Sequence, residues 1–223
     1  MTPPLGDTTP PTGPMFLCLD ATPLISFNDI KQTDLLGEWL PVAFTSIAVI
    51  ELELKKRARQ NHPTISAPWL WSVPSHPDDT ELISELLKRF GKGPPENLGE
   101  AQVVASCLRY RWTAVLDDHE GRDAASDNNV PRVYTVTLLA MAAAQGMLNP
   151  SKAWKMHKFI EKNRGNFSPL KPDADNKPVF AEFVGRLRKL YLKRDKPDWP
   201  MLLSAPGLDD LLLRMLHERK YKP

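Results

Sequence analysis

The sequence predicts an α/β fold of three layers, α/β/α, around a central and mainly parallel sheet, followed by a C-terminal helical extension. Three observations carry this. Short apolar runs alternate with helical patterns from Phe16 to Gly146, as strands do when helices cross over between them. The apolar runs at 16–19 and 112–116 each end directly on aspartate. After Pro150 the chain becomes Lys-rich and its pattern is helical throughout.

Met1 to Pro14 is rich in Pro, Thr and Gly and predicts a disordered leader. The first strand is expected at about 15–20. Thr22 is a helix N-cap candidate with Pro23 at the first helical position, where its missing N–H costs nothing. A short helix follows through Leu24, Ile25, Phe27 and Ile30, and a second at 34–40 stops before Pro41. Val42–Thr45 is a strand candidate. Ser46 caps a helix with apolar residues at Ile47, Val49, Ile50, Leu52 and Leu54, ending in Lys55-Lys56-Arg57. Residues 61–78, with four prolines, predict an irregular connection with Val73 in a short edge strand. Helices are expected from Asp79-Thr80 to Gly91 and from Leu98 through Leu108, with a strand at Trp112–Leu116. A helix then starts near Gly121, a strand covers Val133–Val136, and Thr137 caps a helix closing at Gly146. Further helices are expected at 151–164, 178–194 and about 206–220. The domain plan is therefore a leader at 1–14, an α/β domain at 15–150 and a basic helical extension at 151–223.

Composition narrows the class. An apolar share of 42% supports a real core, and 25% charged residues is ordinary for a globular chain. The two cysteines, Cys18 and Cys107, lie inside apolar segments, which predicts buried free thiols in a reducing compartment. The leader lacks the basic and apolar regions of a signal peptide, and no run is long enough to span a bilayer. A cytoplasmic protein without membrane partners is expected. The net charge of +2 hides an asymmetry. Residues 1–151 carry 12 Lys and Arg against 18 Asp and Glu, whereas residues 152–196 carry 13 against 5. An acidic body beside a basic appendage suits a metal site acting on a polyanion, and equally suits an ordinary solvated helix surface.

The acids are the informative residues. Asp20 follows four apolar residues, so it arrives at the C-terminal end of a buried strand, where ligands bind in parallel sheets. Capping the next helix is its alternative role. Glu51 sits on the helix after the second strand, flanked by Ile50 and Leu52 with Ile47 at i−4, and Glu53 competes with it from about 200° round the helix. Glu100 lies in the first turn of a helix, which the macrodipole favours in any case. Asp117 and Asp118 end the strand at 112–116. Arg122, four residues after Asp118, can pair with it or touch a phosphate, and a structural salt bridge is an equal reading.

The order Leu-Asp-Ala-Thr-Pro-Leu-Ile, Ser-x-x-x-x-Glu, Leu-Gly-Glu-Ala and Val-Leu-Asp-Asp-x-x-Gly-Arg-x-x-Ala resembles the PIN-domain nucleases, over about residues 15–148. The resemblance implies a PIN-like fold with catalytic acids Asp20, Glu51, Glu100 and Asp118. It implies Mg²⁺ or Mn²⁺ held by Asp20, Glu100, Asp117 and Asp118, with Asp118 preferred over Asp117 as the fourth acid. Thr22, Ser46 and Arg122 are weaker substrate candidates. The implied activity is metal-dependent hydrolysis of phosphodiester bonds in RNA, with DNA as the other substrate. A toxin of a toxin–antitoxin pair would bring an antitoxin protein as partner, and a homodimer is compatible with the sequence. The competing reading is a binding or regulatory module on the same fold without catalysis. The chemistry agrees with the metal reading, because Mg²⁺ takes oxygen ligands, keeps several waters and needs only a few carboxylates.

Overall fold

The apolar run Leu17–Leu19 forms β1, every residue of it buried, at the centre of a five-stranded sheet. The computed structural model describes residues 12, 16–40, 42–55, 66–91, 94–164, 168–192 and 208–220. The other strands are β2 (Ala43–Ser46), β3 (Leu70–Val73), β4 (Thr113–Val115) and β5 (Arg132–Val133). Their order is β3-β2-β1-β4-β5 and every pairing is parallel. Cys18 aligns with Phe44 on one side and Ala114 on the other. β1, β2 and β4 are buried at every position, so side chains pointing to either face are covered. Cys18 and Cys107 are buried free thiols, as their apolar surroundings predict.

The helices follow the expected order, with shifts at their ends. They are α1 (Ala21–Asp29), α2 (Thr33–Trp39), α3 (Val49–Leu54), α4 (Thr80–Arg89), α5 (Leu98–Tyr110) and α6 (His119–Asp127). The chain continues with α7 (Thr135–Gln145), α8 (Pro150–Arg164), α9 (Lys177–Leu192) and α10 (Leu208–Lys220). α3 is wound as a π-helix, wider than an α-helix by about one residue per turn. α5 crosses β2, β1 and β4, and α7 packs against α8 and α9. Trp112 stacks on Phe44 with ring centroids 4.1 Å apart, which fastens the end of α5 to the sheet.

Three caps differ from expectation. Asp20, and not Thr22, caps α1, because the strand hands its carboxylate to the helix start before Thr22 is reached. α6 begins at His119, two residues before Gly121, with Asp118 as its cap. α7 begins at Thr135, so Thr137 lies inside its first turn and the strand before it ends at Val133.

Helices α8 to α10 share one contiguous apolar core with the sheet, running from Leu17 to Met215. Phe180, Phe183 and Leu187 of α9 are fully buried within it. No helix among the described residues is long and apolar enough to cross a membrane. The expectations for the leader, apart from exposed Thr12, lie outside the described residues, as do those for Lys56 and Arg57.

Candidate metal centre

Asp20 leaves β1 in extended geometry, and its backbone N–H donates to the Val115 carbonyl of β4 at 3.2 Å. The strand pairing therefore fixes where its carboxylate begins. Oδ2 accepts from the Thr22 N–H at 3.5 Å, while Oδ1 is buried without a hydrogen-bond partner. Glu100, in the first turn of α5, is only 7% exposed and its Oε1 is also buried without a partner. Buried carboxylate oxygens are costly to leave unpaired. Two such oxygens at one end of a sheet mark a place that a cation would complete.

The electrostatics of the two acids are linked. Burial pushes Glu100 up to about 9, and the charges of Asp20, Asp118, Glu53 and Glu120 add to the effect. Burial also raises Asp20, to about 6, against the opposing pull of the Ala21 and Thr22 N–H groups, and Asp117 and Asp118 push it further. Burial and the neighbouring acids thus favour the protonated form of Glu100 at neutral pH.

Two glycines leave the space these acids use. A Cβ at Gly121 would collide with Oε1 of Glu100, and one at Gly99 would collide with Oε1 of Glu53. Gly121 of α6 therefore seats Glu100 of α5, directly beyond the Asp118 cap. Ser46 ties the other side together. Its hydroxyl donates to the Gly99 carbonyl at 3.3 Å and accepts from the Val49 N–H at 3.1 Å, joining β2, α3 and α5. Thr45 Oγ1 donates to the Leu19 carbonyl at 2.7 Å, bracing the turn into Asp20.

Asp20, Glu100 and Asp118 share one region, and the remaining candidates separate. Glu51 is displaced from it. Its side chain is 48% exposed and pairs with Lys55 at 2.6 Å. Ile47, the apolar neighbour that argued for its inward position, is itself 40% exposed, so that face of α3 looks outward. Glu53 occupies the inner position, one turn from fully buried Val49 and against Gly99. Asp117 is buried, with Oδ1 accepting from Thr135 N–H at 2.8 Å and Oδ2 from Thr135 Oγ1 at 2.6 Å, so it anchors the start of α7. Asp118 is half-buried and caps α6 through the Glu120 N–H at 2.9 Å.

Arg122 neither pairs with Asp118 nor reaches solvent. It is 4% exposed, donates to the Leu116 carbonyl at 3.0 Å and to Asp209 at 2.7 Å, and lies on the Tyr134 ring. Asp209, the second residue of α10, also accepts from Tyr134 N–H at 3.3 Å and Thr137 Oγ1 at 2.6 Å. This buried network fixes α10 over the ends of β4 and β5. Nothing local in the Leu-Asp-Asp-Leu sequence signals it, since an acid in the first turn of a helix is common. Thr22 contributes its backbone N–H, and Ser46 a structural hydroxyl.

Among the described residues, no group of three or more His, Cys, Asp or Glu closes tightly enough to enclose an ion. The arrangement is more open: two buried acids with unpaired oxygens, with Asp118 close enough to act on both electrostatically and Glu53 on Glu100. An all-oxygen set of that kind fits a hard divalent ion that retains part of its water shell. Asp20, Glu100, Asp118 and Glu53 include none of the Cys or His ligands from which zinc sites are chiefly built.

The comparisons with known proteins bear on the same elements. A protein-family model described as a PIN domain matches residues 16–164, from the residue before β1 to the end of α8. No curated protein and no solved structure matches the chain. The matched segment contains the whole parallel sheet and every acid of the centre, and on that match the chain belongs to the PIN-domain family, a family of nucleases.

Proposed function

We propose that the chain is a divalent-metal-dependent nuclease that hydrolyses phosphodiester bonds in RNA. The observation that carries this reading is the pair of unpaired buried oxygens, Asp20 Oδ1 and Glu100 Oε1, at the C-terminal end of β1, where neighbouring acids raise one another's pKa. Mg²⁺ or Mn²⁺, when bound, supplies a Lewis acid and a water of lowered pKa. Asp20 and Glu100 are the residues that would hold it, with Asp118 and Glu53 at the rim to hold waters or the ion. Glu100 would have to give up its proton to hold the ion, so affinity would rise with pH. Asp117, Ser46 and Arg122 keep the backbone that carries these acids in place. The basic helical part at 151–223 would hold the polyanionic substrate, and the two reduced thiols are consistent with a cytoplasmic setting.

The test is cleavage of structured and unstructured RNA, and of DNA, with Mn²⁺ or Mg²⁺ and with EDTA. Asp20→Asn should lose cleavage by at least a hundredfold, and equal cleavage by the variant would remove the site. The open ligand set favours a second reading, a PIN-like binding or regulatory module without catalysis. Calorimetry separates the two, because an idle module takes up Mn²⁺ weakly or not at all. A toxin role adds a further expectation: a partner protein whose binding occludes the Asp20–Glu100 pocket and blocks cleavage.

A further inference from the structure

The outer face of α8 carries one sign of charge. Lys152, Lys155, Lys158 and Lys162 are all exposed, and at helical spacing they line one side of the helix. The only acid on α8, Glu161, is buried and accepts from the Ser168 N–H at 3.0 Å. None of the four lysines is in an ion pair among the described residues. Phe159 stands between them, 48% exposed, the most exposed large apolar side chain among the described residues. The opposite face of the helix holds Ala153, Trp154, Met156 and Ile160 in the core.

This is an unfavourable way to build a merely solvated face. The pairs 152/155, 155/158 and 158/162 stand three and four residues apart, where like charges destabilise a helix. Lys152 lies in the first turn, where the macrodipole disfavours a cation and no acid offsets it. An ordinary exposed face mixes both signs. The cations also lead toward the acidic centre. α8 packs on α1, which begins directly after Asp20, and Glu161, beside Lys162, lies near enough to Asp117 to feel its charge.

We infer that this face of α8 is a track for single-stranded nucleic acid, with Lys152, Lys155, Lys158 and Lys162 on successive phosphates and Phe159 stacked on a base. The span from Lys152 to Lys162 is about 15 Å at ~1.5 Å per residue, long enough for two to three nucleotides of an extended strand. A basic groove with an aromatic platform is the means by which proteins hold single strands without reading sequence. An anionic membrane would need a broad apolar face to insert, and this one offers a single ring. The inference draws its direction from the nuclease reading, yet the binding it describes requires no metal.

The experiment is fluorescence anisotropy of a labelled twelve-nucleotide oligouridylate, titrated with the full chain in EDTA over a range of NaCl. Four phosphate contacts at about 0.7 each predict a log–log salt slope near −2.8. Lys155→Gln with Lys162→Gln should bring it to about −1.4, and Phe159→Ala should weaken binding about tenfold with the slope kept. Circular dichroism confirms that these surface variants are folded. A slope unchanged in the double variant overturns the inference. So does equal or tighter binding of poly-glutamate or of phosphatidylserine vesicles, measured as competitors. Absence of cleavage with Mn²⁺ would count against the nuclease reading and leave this binding intact, so the two can fail separately.

Discussion

Glu100→Gln should make the metal-free protein more stable, although it removes an acid from the site. Wild-type Glu100 is raised from 4.5 to about 9, chiefly by burial. Between those values the unfolded chain binds fewer protons at this residue than the folded protein does. Stability from this group therefore falls as pH rises through that window. At pH 7 the cost is the interval from 4.5 to 7, at roughly 1.4 kcal/mol per pH unit, or on the order of 3 kcal/mol. Glutamine keeps the shape and never ionises, so it escapes that cost. Urea unfolding at pH 5, 7 and 8 in EDTA should show the variant ahead by a small margin at pH 5 and by roughly 2–3 kcal/mol at pH 7. Saturating Mn²⁺ should reverse the order, because wild type gains stability from the ion and the variant does not. A variant less stable than wild type at pH 7 without metal would refute the reasoning, since it would mean that the ionised Glu100 has a favourable partner.

Asp209→Ala strands Arg122 in the core and should cost about 3–5 kcal/mol in urea unfolding, with Asp209→Asn costing less. His157 is held down at about 4 by burial, so the unfolded chain protonates first. Its contribution is whole above pH 6.5 and falls as pH drops toward 4, by about 3 kcal/mol in all, and His157→Gln should flatten that part of the pH–stability curve. Glu53→Gln should lower the Mn²⁺ heat and the cleavage rate by tenfold or more, while Glu51→Gln, on the outer face beside Lys55, should leave both within a factor of two. Gly121→Ala drives a methyl into Glu100 and should cost about 1–3 kcal/mol together with Mn²⁺ binding.

The fold was legible because a parallel sheet writes itself plainly. β1 is an uninterrupted apolar run and β4 is apolar but for Thr113, and each leads into a buried acid at the same end of the sheet. Asp20 and Glu100 could be read for that reason: strand end and helix start are set by neighbours in the sequence. Glu51 could not be separated from Glu53, because the deciding fact is which face of α3 meets α5, and Ile47 misled by lying on the outer face itself. The caps at Asp20 and Asp118 show the limit differently, since the same carboxylate can both start a helix and line a pocket. The structural salt bridge of Arg122 was among its readings, but its partner Asp209 lies 87 residues away and no local spacing reports such a pair.

That pairing also sets the order in which the molecule can be finished. All five strands have been synthesised by Val133, and the family-matched segment is complete at residue 164. Arg122 then waits for a carboxylate still tens of residues upstream of the ribosome's exit. At about 5–20 residues per second, the 87 residues that separate it from Asp209 take several seconds to make. During that interval a guanidinium destined for the core has no buried counter-charge, and the end of the sheet that carries the acids is open. A fragment cut at the family boundary would stay in that condition permanently. For this chain the practical unit of expression extends through α10, well past the domain that homology outlines.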